Sequence, residues 1–234
     1  TVFHQQYILL ISTHTSSSLL GDIGLRILSN LCLQRWVRCG LRVPVAAMAW
    51  KQASGEEVST IIIHVAIDTL PFVVLATYSL YIPLNIHYIG LERLVSAWRL
   101  ARDDPMRACT HNKGAMNGIS AAALATGQDT RAVEAAIHAY AGSTGRYQPL
   151  SKYQVRDGHL ECVLELPIAV GTRGGSLGAH PSFKWALAQL GWPTARELAM
   201  VLGCVGLAQN FAAMRALAIE GIQKGHMSLH SRKG

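Results

Sequence analysis

Four stretches of the sequence put reactive side chains where chemistry could use them. The segment CTHNKGAMNG, Cys109 to Gly118, sets one lysine, Lys113, among small and amide-bearing neighbours, notably Asn112, Gly114, Ala115 and Asn117. A lysine in that setting reads either as a solvated loop residue or as a cation in a tight site. In the second case it would stabilise an oxyanion developing in a transition state. Asp129, in ATGQDTRAVEAA, stands just before a helix-forming run. It can cap that helix, or hold a nearby lysine charged and oriented. His226 and His230, in KGHMSLH, are four apart, the helical spacing of two metal ligands. The glutamate of H-E-x-x-H is missing, so no metalloprotease is read and no metal is expected. A histidine there can be a general acid, since it titrates near neutrality, or an ordinary surface or core residue. The glycine-rich GTRGGSLGAH, Gly171 to His180, fits neither a P-loop nor G-x-G-x-x-G. It reads as a turn needing positive φ or as a close approach to a ligand.

The elements that must position these residues are clearest from Leu91 onward. LERLVSAWRLARDDP spaces Leu91, Leu94, Val95 and Trp98 as one helical face, and Pro105 closes it. TRAVEAAIHAYAG reads as a helix ended by Gly142. KYQVRDGHLECVLEL reads as a hairpin turning at Asp157-Gly158. Ser182 can cap FKWALAQL, with Gly191 ending it, and Thr194 with Glu197 forms a capping box opening the long run from Ala195. The Ala and Gly in that run predict close packing against other backbone. Helices mixed with a strand pair predict an α+β architecture.

Upstream the text is less regular. Residues 1–18 show no period. LRILSNLCLQRWVRCGLRVPV is apolar enough for a buried strand and a connector, and Pro44 argues against one unbroken element. Residues 59–90 form the most apolar run, long enough for a membrane helix. His64, Asp68, Pro71 and Pro83 interrupt it, and an ionised group at mid-bilayer costs about 2.5–3.5 kcal/mol, which argues against a span.

The chain has 234 residues, half of them hydrophobic and 15% charged, which is globular rather than disordered composition. Its formal charge of +7 is scattered, with no Lys/Arg block longer than the tail HSRKG. A nucleic-acid binder would need clustered cations with aromatic platforms, so none is read. Five cysteines, at 32, 39, 109, 162 and 204, form no C-x-x-C pair, which predicts a reducing, cytoplasmic setting. The chain opens on Thr1 and is expected to be a fragment.

Taken together, DPMRACTHNKGAMNGISAAALATGQDTRAVEAAIHAYA and VGLAQNFAAMRALAIEGIQKGHMSLHSR resemble the 3-hydroxy-3-methylglutaryl-coenzyme A reductases of the bacterial type, class II. The resemblance runs nearly continuously over 91–232, with a shorter stretch from Leu25 to Val58. It implies a large catalytic domain of α+β fold. It implies a two-step reduction of the acyl-coenzyme A thioester to mevalonate, or the reverse, with NADH or NADPH giving both hydrides. It implies a homodimer with active sites shared between subunits. By the same resemblance Lys113 is the oxyanion-stabilising lysine, Asp129 the aspartate bonded to it, and His226 the acid that protonates the departing thiolate. Arg107, Asn117, Gln209 and Asn30 match positions near the acyl group.

The chain also departs from that pattern. No E-N-x-x-G-type glutamate is found, and Glu56 and Glu57 of SGEEV lie in another context. The D-A-M-G-A-N dinucleotide motif is absent, so the cofactor-binding residues stay unassigned, and the C-terminal tail stops after Ser231. The expected organisation is 1–18 unplaced and 19–50 a remnant of the small cofactor-binding domain. Residues 51–58 return to the large domain, 59–90 read as a non-family insert, and 91–234 are the C-terminal part of the large domain. The chain alone is therefore expected to be inactive. The alternative is a non-catalytic remnant that binds coenzyme A or pairs with a full-length subunit.

Overall fold

The computed structural model describes residues 29–45, 60–66, 76–81 and 88–219. Five antiparallel strands form one sheet: β1 (Trp36–Pro44), β2 (Thr60–Ala66), β3 (Ala76–Tyr81), β4 (Ser151–Arg156) and β5 (His159–Pro167), in the order β3-β2-β1-β5-β4. The helices are α1 (Tyr88–Asp103), α2 (Pro105–Ala125), α3 (Thr130–Ala141), α4 (Gly175–Ala179), α5 (Pro181–Gln189) and α6 (Ala195–Ile219). The architecture is α+β, as the sequence predicts.

Alternation builds the sheet's inner face. Val37, Cys39, Leu41 and Val43 of β1 are buried while Arg38 and Arg42 face out. The outward arginines pair across the ladder with Glu165 and Glu161 of β5, at 3.2 and 3.5 Å. Asp157 and Gly158 take φ of 50° and 70°, the two left-handed positions of the tight β4–β5 turn. Within 59–90 the described residues 60–66 and 76–81 are strands, not a membrane helix. They extend the sheet from the free edge of β1.

Helix α6 lies across the inner face. Gly203 lets β1 come close, since a Cβ there would sit 2.6 Å from Val37 Cγ1 and 2.7 Å from Cys39 Sγ. Among the described helices, α6 is the one long and apolar enough to cross a membrane. Of its window 56% is buried inside the protein, as a core helix requires.

Local signals set several helix ends. Asp129 caps α3 by accepting from Ala132 N at 3.0 Å. Thr194 and Glu197 form the capping box of α6, with Glu197 accepting from Thr194 N at 2.7 Å. Helix α1 ends at Asp103, just before Pro105 as the sequence predicts, and one expectation, the Ser182 cap, is corrected. Pro105 opens α2 at its first turn, with Asp104 as the cap, so the chain turns straight from one helix into the next. Ser182 is not the cap of α5: Pro181 occupies the first turn, and His180 takes the cap, accepting from Ser182 N.

Candidate active site

Lys113 sits in the middle of α2, a 21-residue helix, rather than in a loop. Glycines at 114 and 118 would each weaken an isolated helix by about 1 kcal/mol. Both are buried against α6, and that packing offsets the local cost. A Cβ on Gly118 would meet Gln209 Cβ at 2.9 Å and Val205 at 3.0 Å, whereas one on Gly114 would meet Ala213 at an ordinary 3.6 Å. Gly118 therefore sets how near α6 approaches.

The two residues before Lys113 anchor the helix to the sheet side. Asn112 donates to Gln148 O and accepts from Leu150 N, each at 2.9 Å, fastening the chain that enters β4. His111 Nε2 lies 2.6 Å from Ser151 Oγ. Asn210 of α6 closes the network, accepting from Ser151 Oγ at 2.9 Å and Tyr153 OH at 2.8 Å, and donating to His111 O at 3.1 Å. Burial, with the Arg107 charge nearby, lowers the His111 pKa to about 4, so the ring is neutral at pH 7.

With His111 and Asn112 turned inward, the helical period turns Lys113 and Asn117 outward. Gln209 is also exposed, on the α6 turn that contacts Gly118, the residue after Asn117. Lys113, Asn117 and Gln209 therefore border one seam between α2 and α6. Arg107 lies six residues before Lys113, a little short of two turns and roughly 9 Å along the axis. It is half-buried against Met214, and no carboxylate pairs with it among the described residues. Burial lowers its pKa. A partly desolvated guanidinium with no anion of its own suits a carboxylate or phosphate ligand.

Asp129 is not brought to Lys113 within the chain. It stands beyond the far end of α2, where the turn folds back through Gln128 N to Ala123 O at 2.8 Å. Lys113 and Ala123 are separated by roughly 15 Å of helix axis. No ion pair joins Lys113 to Asp129 among the described residues. Asn30 is exposed on the connector into β1. His226 lies outside the described residues.

The described residues contain no parallel strand–turn–helix unit of the kind that seats a pyrophosphate. Their strands pair antiparallel throughout. The glycine-rich segment after β5 has Gly174 and Gly175 at positive φ, as its turn reading predicts, but leads only into the five-residue α4. The His111–Ser151–Tyr153–Asn210 network was not read from the sequence. Its one local signal is polar residues recurring on the inward faces of α2 and α6.

An α+β unit with a lysine-bearing helix packed on a glycine-rich one thus defines the class of domain. Residues 84–231 match the family model described as hydroxymethylglutaryl-coenzyme A reductase, and the chain belongs to that family. The 3-hydroxy-3-methylglutaryl-coenzyme A reductase of Archaeoglobus fulgidus is 54% identical over 143 residues, covering 61% of this chain and 33% of the relative. A probable reductase of Borreliella burgdorferi is 48% identical over 127 residues, covering 54% and 30%. Among solved structures, the Streptococcus pneumoniae reductase superposes with a TM-score of 0.56 at 46% identity, covering 62% of this chain and 35% of that one. Its class II form bound to NADPH in open conformations gives 0.55 at 48% identity, covering 60% and 34%. The chain spans about a third of the length of the curated relatives it matches.

Proposed function

We propose that this chain supplies the catalytic face of a class II hydroxymethylglutaryl-coenzyme A reductase. The reaction is the reduction of hydroxymethylglutaryl-coenzyme A to mevalonate and coenzyme A, or its reverse, with NADH or NADPH as hydride donor. The observation that carries this reading is the α2–α6 seam, where Lys113, Asn117 and Gln209 are exposed together on two helices locked by Gly118.

On this reading Lys113 offers an ammonium to the thioester oxygen as negative charge builds there. Asn117 and Gln209 orient the acyl group by amide hydrogen bonds, and Arg107 and Asn30 hold its polar end. His226 gives a proton to the departing coenzyme A thiolate.

The separation of Asp129 from Lys113 supports a site completed by a second copy. In a symmetric dimer, Asp129 of one subunit can meet Lys113 of the other. Exposed Met106 and Leu124, near the two ends of the Lys113 stripe, suit such a face. We place the protein in the cytoplasm. We also place the boundary of the small domain before Trp36, because β1 shares the core with α6 and β5. Residues 59–90 remain our candidate for an insert, though the family match already begins at residue 84.

A chimera tests the reading. Residues 91–231 replace their counterpart in the archaeal relative, and oxidation of NAD(P)H dependent on hydroxymethylglutaryl-coenzyme A is followed. Turnover is expected. A folded chimera that binds coenzyme A without turnover would instead support the non-catalytic alternative.

A further inference from the structure

We infer that Gln128 is a positioning residue for Asp129: its side-chain amide ties the T-G-Q-D turn to the glycine-rich segment after β5 and so fixes where the Asp129 carboxylate is presented. The inference rests on the reductase reading of Asp129. Gln128 Nε2 donates to Thr126 O at 3.0 Å, and Gln128 Oε1 accepts from Gly171 N at 2.9 Å. One side chain therefore closes the turn on itself and fastens it to backbone 43 residues away. The rest of the turn is held too. Thr126 is buried and donates its Oγ1 to Ala122 O at 2.8 Å, where α2 ends. Gly127 takes φ of 72° under the Phe183 ring of α5, and a Cβ there would stand 2.7 Å from that ring, so conformation and space both require glycine.

Asp129 follows directly and is exposed. Its Oδ1 accepts from Ala132 N at 3.0 Å, so Oδ2 is the oxygen offered to a lysine. A carboxylate held by its own turn is set before the lysine arrives, which is what a preorganised site requires. Helix α3 does not depend on the Gln128 amide. Val133, Ala136 and Ile137 bury its inner face, and Ser120 Oγ donates to Glu134 at 2.5 Å. Loss of the amide should loosen the turn and leave the helix in place. The glycine-rich segment thereby has a use that needs no ligand: the N–H of its first residue, Gly171, holds the turn that carries Asp129.

Two measurements test it. In the full 234-residue chain, amide exchange followed by NMR reads the Ala132 N–H that Asp129 protects. Gln128→Ala is expected to speed exchange at Ala132 and Gly171 about tenfold, while Ile137 in the body of α3 keeps its protection. In the reductase chimera, Gln128→Ala is expected to lower kcat about 10–100-fold and leave KM within about twofold. Gln128→Glu keeps an acceptor for Gly171 N and should recover part of that loss. Added to Asp129→Asn, Gln128→Ala should lower kcat no further, because it acts through a carboxylate already removed. Unchanged exchange at Ala132, unchanged kcat, a full further loss on top of Asp129→Asn, or loss of Ile137 protection in both Gln128 variants would overturn the role. An unsubstituted chimera without turnover would overturn the reductase reading and this role together, whereas turnover that Gln128→Ala leaves intact overturns this role alone.

Discussion

Lys113 is exposed on a helix whose inward neighbours do the anchoring, so its removal should cost chemistry and not stability. In the chimera, Lys113→Ala is expected to lower kcat by about 10²–10³-fold while the melting temperature stays level. An equal fall in both would make the lysine structural. His111 should behave in the opposite way. Its folded pKa of about 4 lies below the ordinary 6.5, so the unfolded chain takes up the proton first as pH falls. The neutral ring's contribution is whole above pH 6.5 and is lost as pH drops towards 4, a change of about 3 kcal/mol. Denaturant unfolding of wild type and His111→Gln across that window should show the steeper acid loss in wild type. Parallel pH profiles would contradict it. Lys113 could be singled out because its motif is local, whereas Asn117 and Gln209 were named only through the family resemblance. The role of His111 was not, since its partners lie 40 and 99 residues away.

At the scale of elements, helix and turn ends written in adjacent residues were legible: Asp129, Thr194 with Glu197, and Asp157-Gly158. Two readings failed where a neighbour overrode the local signal. Pro181 moved the cap of α5 to His180, and tertiary packing kept α2 helical through its glycines. The same packing gives a prediction. Gly118→Ala puts a methyl 2.9 Å from Gln209 Cβ and 3.0 Å from Val205, and is expected to cost about 1–3 kcal/mol. Gly114→Ala meets only ordinary contacts near 3.6 Å and should be neutral or slightly stabilising through helix propensity. Thermal melts of the two variants check this, and equal shifts would mean that the α2–α6 spacing is not set at Gly118. Asn112→Ala should cost about 2 kcal/mol, because Leu150 N and Gln148 O lose their partner together.

The whole molecule was legible as α+β but not as a sheet order, because β1 pairs with β5 across more than a hundred residues of chain. The distance between Lys113 and Asp129 was equally hidden: sixteen residues in sequence run from the middle of one helix to the cap of the next. Given that distance, the proposed site needs two copies of the chain. The most direct measurement mixes Lys113→Ala and Asp129→Asn chimeras, each nearly inactive alone, and allows subunits to exchange. If each site draws its lysine and aspartate from different subunits, half the dimers are mixed and carry one intact site. Activity should then recover to about a quarter of wild type. Recovery no greater than the sum of the two parents would contradict a site shared between subunits.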